Sequence, residues 1–164
     1  MIITKRFTER EESYNQVVAD IKNNSTETDF EKRIKEKIYR WWKDWQPDYD
    51  GWCKIADTLY LDDCIIEAIG DEPQIYNIYR DAMKHQRDAF EMDMGKIEKC
   101  VVEDDTLTIW YYMYLTAKAD MGPLKKGETY RIKVTEFNTF TDLGADKDPM
   151  VNHLILIATS VGGH

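Results

Sequence analysis

Three kinds of side chain in this sequence could move a proton. His153 stands inside an apolar run, Met150-Val-Asn-His-Leu-Ile-Leu-Ile157, where a neutral imidazole near its working pKa could act as a general base. Glu136 interrupts an apolar alternation beside Phe137, and a carboxylate held in an apolar pocket has its pKa raised toward a useful acid–base range. Tyr111, Tyr112 and Tyr114 carry phenol donors, and because neighbours on a strand point to opposite faces they divide between the two. The chemistry such a set supports is cofactor-free dehydration, isomerisation or cyclisation of a small hydrophobic substrate with an acidic carbon next to a carbonyl. His153 would be the base, Glu136 an alternative base or proton donor, and Tyr112 or Tyr114 the stabiliser of the developing enolate oxygen. Trp41, Trp42 and Trp45, with Phe137, could wall a site for a flat apolar ligand. Each residue also has a plainer reading: a structural histidine, an outward-facing glutamate, a tryptophan stripe that only packs the core. A non-catalytic domain that holds a small apolar molecule or a partner segment is the alternative function.

Other chemistries find no footing. Asp62-Asp63 is an acidic pair without a His, Asp or Glu cluster beside it to complete a metal shell, and no phosphate loop, nucleophile elbow or zincin motif occurs, so no cofactor or metal is expected. Cys53, Cys64 and Cys100 are odd in number and lack C-x-x-C spacing, and they read as small buried hydrophobes rather than a disulfide framework or a thiolate zinc site. A net charge of −9 opposes binding of a phosphate backbone, which excludes nucleic acid as a partner. The N-terminal stretch meets charge too early for a signal peptide and no apolar run approaches membrane-spanning length, which implies a cytoplasmic protein with no membrane partner.

The elements that must position these residues follow from periodicity. At 164 residues, 43% apolar and 12% aromatic, the chain is one domain over 1–164 with a core of its own, residues 1–27 forming an N-terminal helical extension. Tyr14, Val17, Val18 and Ile21 recur at helical spacing, and 23–28 break the pattern. Thr28-Asp-Phe-Glu31 is a capping-box pattern that opens a helix with Phe30, Ile34, Ile38, Trp41, Trp42 and Trp45 on one stripe, stopped by Gln46-Pro47. Asp48 to Gly51 reads as a turn, followed by a short helix through Trp52, Ile55 and Leu59 to about Tyr60. Asp62 to Gly70 is a first strand. Asp71 then caps a helix with Ile75, Ile78, Tyr79, Ala82, Ala89 and Phe90 on its stripe, running to about Gly95. Lys96 to Val102, Leu107 to Ala119, Glu128 to Thr141 and Pro149 to Ser160 are strands. Helices first and strands last predict α+β, with a bent antiparallel sheet folded over three to four helices and a concave interior. Large apolar side chains on both phases of Leu107 to Ala119 exceed what one core face requires, which predicts a homodimer through the outer face.

The order resembles the NTF2-like superfamily, in its SnoaL-like branch of polyketide cyclases, ketosteroid isomerases and dehydratases. The residues that carry the likeness are Trp52 with Ile55 to Asp63 before a strand, the helix opening at Glu72-Pro73, Asp104 to Trp110 entering a strand, and Gly127, Val134 and Phe140 in the next; it spans roughly 38–159. The resemblance implies a cone with a deep pocket, frequent dimerisation through the outer sheet face, and either enzymatic or binding function. It also implies where acids should stand. The isomerase base, five residues beyond the second acid of the Asp-Asp pair, corresponds to Ala68; the late acid of the cyclases is missing from 150–159, and 89–94 hold no dehydratase histidine.

Overall fold

The computed structural model describes residues 7–23 and 26–160. Within them the chain forms helices α1 (Phe7–Asn23), α2 (Asp29–Lys43), α3 (Tyr49–Ala56) and α4 (Tyr76–Ala89), and strands β1 (Tyr60–Ala68), β2 (Gln74–Ile75), β3 (Phe90–Glu103), β4 (Thr106–Ala117), β5 (Thr129–Thr141) and β6 (Met150–Ser160). The strands make one bent sheet in the order β2-β1-β6-β5-β4-β3. Its pairings are antiparallel except for β1 against β6, which run parallel. The first six residues and 24–25, part of the expected break after α1, lie outside the described residues.

Strict alternation on β4 decides which side is inside. Leu107, Ile109, Tyr111, Met113 and Leu115 are buried, while Thr108, Trp110, Tyr112, Tyr114 and Thr116 are half-exposed. The buried set meets α2, whose helix starts at a complete capping box: Thr28 Oγ1 accepts from the Glu31 N–H at 3.1 Å and Glu31 Oε1 accepts from the Thr28 N–H at 2.8 Å. Such a cap is worth about 1 kcal/mol. Glu31 Oε2 also accepts from the Asp104 N–H at 3.2 Å, tying the helix start to the β3–β4 turn, where Asp104 has a φ of 56°.

Trp42 is fully buried at the centre of this layer, edge-on to Tyr111 with ring centroids 4.2 Å apart. The register of β3 against β4 slips twice between Met94 and Lys99, and an irregular strand leaves carbonyls outside the ladder. Tryptophans of and just beyond α2 donate to two carbonyls of β3, one within this stretch and one before it. Trp42 Nε1 donates to the Gly95 carbonyl and Trp45 Nε1 to the Met92 carbonyl, both at 2.9 Å. The outer edge of β3 is closed by α1: Ser13 Oγ accepts from the Ile97 N–H at 3.2 Å, and the buried Arg10 donates to Asp93 Oδ1 at 2.8 Å and to the Met94 carbonyl at 3.1 Å. A covered edge strand does not recruit further strands.

Three expectations are corrected. Residues 48–51 are the first turn of α3 rather than a free turn, because Asp48 caps it by accepting from the Gly51 N–H at 2.9 Å. Phe90 to Gly95 is strand, not the end of the preceding helix: pairing with Met113 to Ala117 supplies its backbone partners and overrides the helical spacing of Ala89 and Phe90. Finally, α4 begins at Tyr76 and is rotated from the expected stripe. Its buried face is Tyr76, Met83 and Arg87, and Ile78 is 57% exposed.

Candidate active site

The inner face of the sheet and helices α2 to α4 enclose a cavity of about 280 Å³, close to the lower end of the roughly 300–1,000 Å³ typical of ligand pockets. Its walls are mostly apolar: Trp41, Trp45 and Trp52 from the helical side, Met92 and Met94 from β3, Met113 and Leu115 from β4, Ile132 and Val134 from β5, Leu156 and Ala158 from β6. Exposed Asp71, Ala82 and Gln86 also line it and mark its mouth.

Glu136 stands in this wall. It continues the inward phase of Val134 on β5, pairs across the sheet with Ile109 and Leu156, and is 6% exposed. Burial in these surroundings raises its carboxyl to about 7, against a smaller opposing pull from a hydrogen bond with Tyr111. That bond has a simple origin. Tyr111 faces Val134, one inward position from Glu136, so the two are diagonal neighbours on one face. Burial, reinforced by the same carboxylate, pushes the phenols of Tyr60 and Tyr111 well up and that of Tyr79 up to about 12. Ala68, where the resemblance would put the isomerase base, is also in the wall. It pairs with Leu156, which in turn pairs with Glu136, so the methyl and the carboxylate share one row two strands apart.

The other expected catalytic residues lie elsewhere. His153 pairs with Thr139 and Ile65 on the outer face, where its Nε2 is 2.5 Å from Glu67 Oε2. Tyr112 and Tyr114 are on the outer phase of β4; the Arg131 guanidinium lies 4.3 Å from the Tyr112 ring and Lys133 4.7 Å from the Trp110 ring. A site joining His153, Tyr112 and Tyr114 to Glu136 is therefore ruled out, since they occupy opposite faces of the sheet. Phe137 alternates outward from Glu136 and is 36% exposed, so it cannot wall the cavity. Of the three α2-stripe tryptophans, Trp41 and Trp45 line the cavity and Trp42 packs behind them against Tyr111.

Arg87 is the lining residue that the sequence pattern did not single out; Tyr79 was read only as part of a helix stripe, and Tyr111 is the member of the tyrosine set that faces inward. Tyr79, Met83 and Arg87 are spaced by four along α4 and all line the cavity, so an arginine in phase with an apolar stripe was the available signal. The Arg87 guanidinium lies over the rings of Trp52 and Trp45, at 4.5 and 5.4 Å. Cys64 is buried with its thiol pushed up to about 12, which makes it a packing residue rather than a nucleophile. Among the described residues no three His, Cys, Asp or Glu side chains gather where they could hold a metal ion, and no helix is long and apolar enough to cross a membrane.

With this geometry in hand, comparison with solved structures is informative about architecture. A protein of Jannaschia sp. CCS1 provisionally named a SnoaL-like polyketide cyclase superposes with a TM-score of 0.63, at 13% identity over 82% of this chain and 91% of that one. The fold is an NTF2-like α+β cone, an architecture this chain shares with that protein. A polyketide cyclase, again provisionally so named, from Xanthomonas campestris pv. campestris aligns at a TM-score of 0.62 and 13% identity over 78% and 91% of the two chains. AclR of Streptomyces galilaeus, provisionally named a hydroxylase, aligns at 0.53 and 14% identity over 94% and 81%. No family model matches the sequence, and no curated protein does. NTF2-like cones thus carry differently named activities on one scaffold, and chemistry must be argued from the cavity.

Proposed function

We propose that this NTF2-like chain is a cofactor-free acid–base catalyst acting on a small apolar molecule with an acidic carbon next to a carbonyl, by isomerisation, dehydration or cyclisation, with Glu136 as general base. The observation that carries the reading is a carboxyl buried in an apolar cavity wall and held at about 7, the range in which proton acceptance and return are both efficient at neutral pH. Glu136 takes the proton; the electron pair left on carbon delocalises onto the carbonyl oxygen as an enolate. Tyr79 and the Trp41 indole N–H, which is buried without a partner, line the same cavity and can donate to that oxygen. The protonated Glu136 then returns its proton to another carbon or to a leaving hydroxyl. Ala68 supports the assignment, because the position that the isomerase likeness would use is a methyl and the base is supplied from β5 in the same row.

Deuterium exchange in D2O tests this without knowledge of the natural substrate. The native chain should accelerate exchange at the carbon next to the carbonyl of aryl ketones such as butyrophenone and 3-benzoylpropionate. Its rate should rise with pH to a plateau, half-maximal near pH 7, and fall about a hundredfold or more in Glu136→Gln. Bound ketone that exchanges no faster with native protein than with the variant would leave a binding protein, not an enzyme.

Homodimerisation through the outer face belongs to the same proposal. Ile65, Phe137 and Ile155 are neighbours there and each more than a third exposed, beside the half-exposed Trp110 and Tyr112. Light scattering at micromolar concentration should give twice the chain mass; a strict monomer removes the claim.

A further inference from the structure

We propose that Arg87 is an anion-binding residue that anchors the carboxylate of an apolar acid inside the cavity. The proposal rests on reading the cavity as a ligand site, and it deepens that reading by naming the substrate class. Arg87 is 2% exposed and lines the cavity, yet its Nε and Nη1 are buried with no acceptor. Among the described residues no carboxylate forms an ion pair with it. The field of Asp48 reaches it, but that carboxylate makes no ion pair with it; its Oδ2 caps α3 at the Gly51 N–H and its Oδ1 is buried without a hydrogen-bond partner.

The side chain is nonetheless held firmly. Its guanidinium lies over the rings of Trp52 and Trp45, while Lys118 Nζ fixes the backbone there by donating to the Arg87 carbonyl. Burial lowers its pKa only to about 10, so it stays cationic at neutral pH. A buried cation without a partner is costly, and a structure that keeps one pre-positioned against a cavity is complementary to a negative ligand rather than to itself. One guanidinium in a cavity that also contains Glu136 balances a single charge, which favours a carboxylate over a phosphate dianion. The aromatic and methionine walls then take the apolar remainder, leaving the carbonyl-bearing carbon between Arg87 and Glu136.

The test compares 3-benzoylpropionate with its carboxamide, which keeps the shape but is neutral and carries an NH2 in place of one carboxylate oxygen, by calorimetric binding at pH 7.5. Native protein should bind the carboxylate about tenfold to a hundredfold more tightly. In Arg87→Met that preference should vanish while affinity for the carboxamide is kept. Equal affinities in the native chain, or a preference that survives in Arg87→Met, would overturn the anion site. Should the variant fail to fold, the native chain decides by NMR: the Arg87 Nε–H resonance shifts with the carboxylate and not with the carboxamide if the proposal holds, and responds to both alike or to neither if it does not. The two readings fail separately. Carboxylate preference without deuterium exchange removes the acid–base role of Glu136 and keeps the anion site, whereas exchange without carboxylate preference does the reverse.

Discussion

At pH 8 the Glu136→Gln variant is expected to be more stable than the native chain by about 3 kcal/mol, and at pH 4 the two should be nearly equal. The sign follows from linkage. Burial raises the carboxyl from its ordinary 4.5 to about 7, so between those values the folded state holds a proton that the unfolded state has already lost. Below about pH 4.5 both states are protonated and the native chain has its full stability. As pH rises from there, the unfolded chain ionises freely while the buried group resists charging in an apolar wall. Stability therefore falls by about 1.4 kcal/mol for each pH unit, and levels off once the folded-state pKa is passed. Glutamine keeps the shape and never charges, so the difference between the variants isolates this one group. Urea unfolding at several pH values reads it directly; curves that run parallel across pH 4 to 8 would mean Glu136 is not held in a charge-averse site. A base that the fold tolerates at this cost is the pattern expected of a functional group.

Trp42→Ala should cost about 4 kcal/mol, the range for emptying a buried aromatic site. Two further losses push the figure upward. The Gly95 carbonyl loses the indole N–H that satisfies it, and Tyr111 loses the ring against which it is packed edge-on. Trp42→Phe restores most of the packing but not the hydrogen bond, and should recover more than half of the loss. Urea denaturation of both variants checks the pair; a loss below about 1 kcal/mol in Trp42→Ala, well under the usual range, would show that the indole is not the keystone of the α2–sheet contact. The effect should reach the cavity as well, because Tyr111 is the hydrogen-bond partner of Glu136.

Much of this fold was legible because strong periods coincide with burial. The α2 stripe with its capping box, and the alternation of β4 and β5, are local patterns that packing reinforces. What periodicity could not assign was the inward face where both phases of a strand are large and apolar. On β4 the tyrosines at 111, 112 and 114 look alike, and only the cross-strand partners separate them: Val134 opposes Tyr111, whereas Lys133 and Arg131 oppose Tyr112 and Tyr114 and lie over the outer rings. His153 was misassigned for the same reason, since β6 is apolar on both phases and its outward partner Glu67 comes from a parallel strand far away in sequence. Glu136 and Arg87 left a better trace. Each is a polar residue in phase with an apolar face, Glu136 with Val134 on β5 and Arg87 with Tyr79 and Met83 on α4. Such misplaced polarity is where a fold departs from its own pattern, and here both departures converge on one cavity.

The ionisation of Glu136 is the most direct test of the whole account. With glutamate labelled with 13C at the side-chain carboxyl, and the resonance assigned by its absence in Glu136→Gln, an NMR titration should give a midpoint near 7. Tyr111→Phe should move the midpoint higher, since that hydrogen bond favours the charged form. A midpoint near the ordinary 4.5 would place the carboxyl in a solvent-like environment and contradict the claim that this cavity holds a base poised for neutral pH.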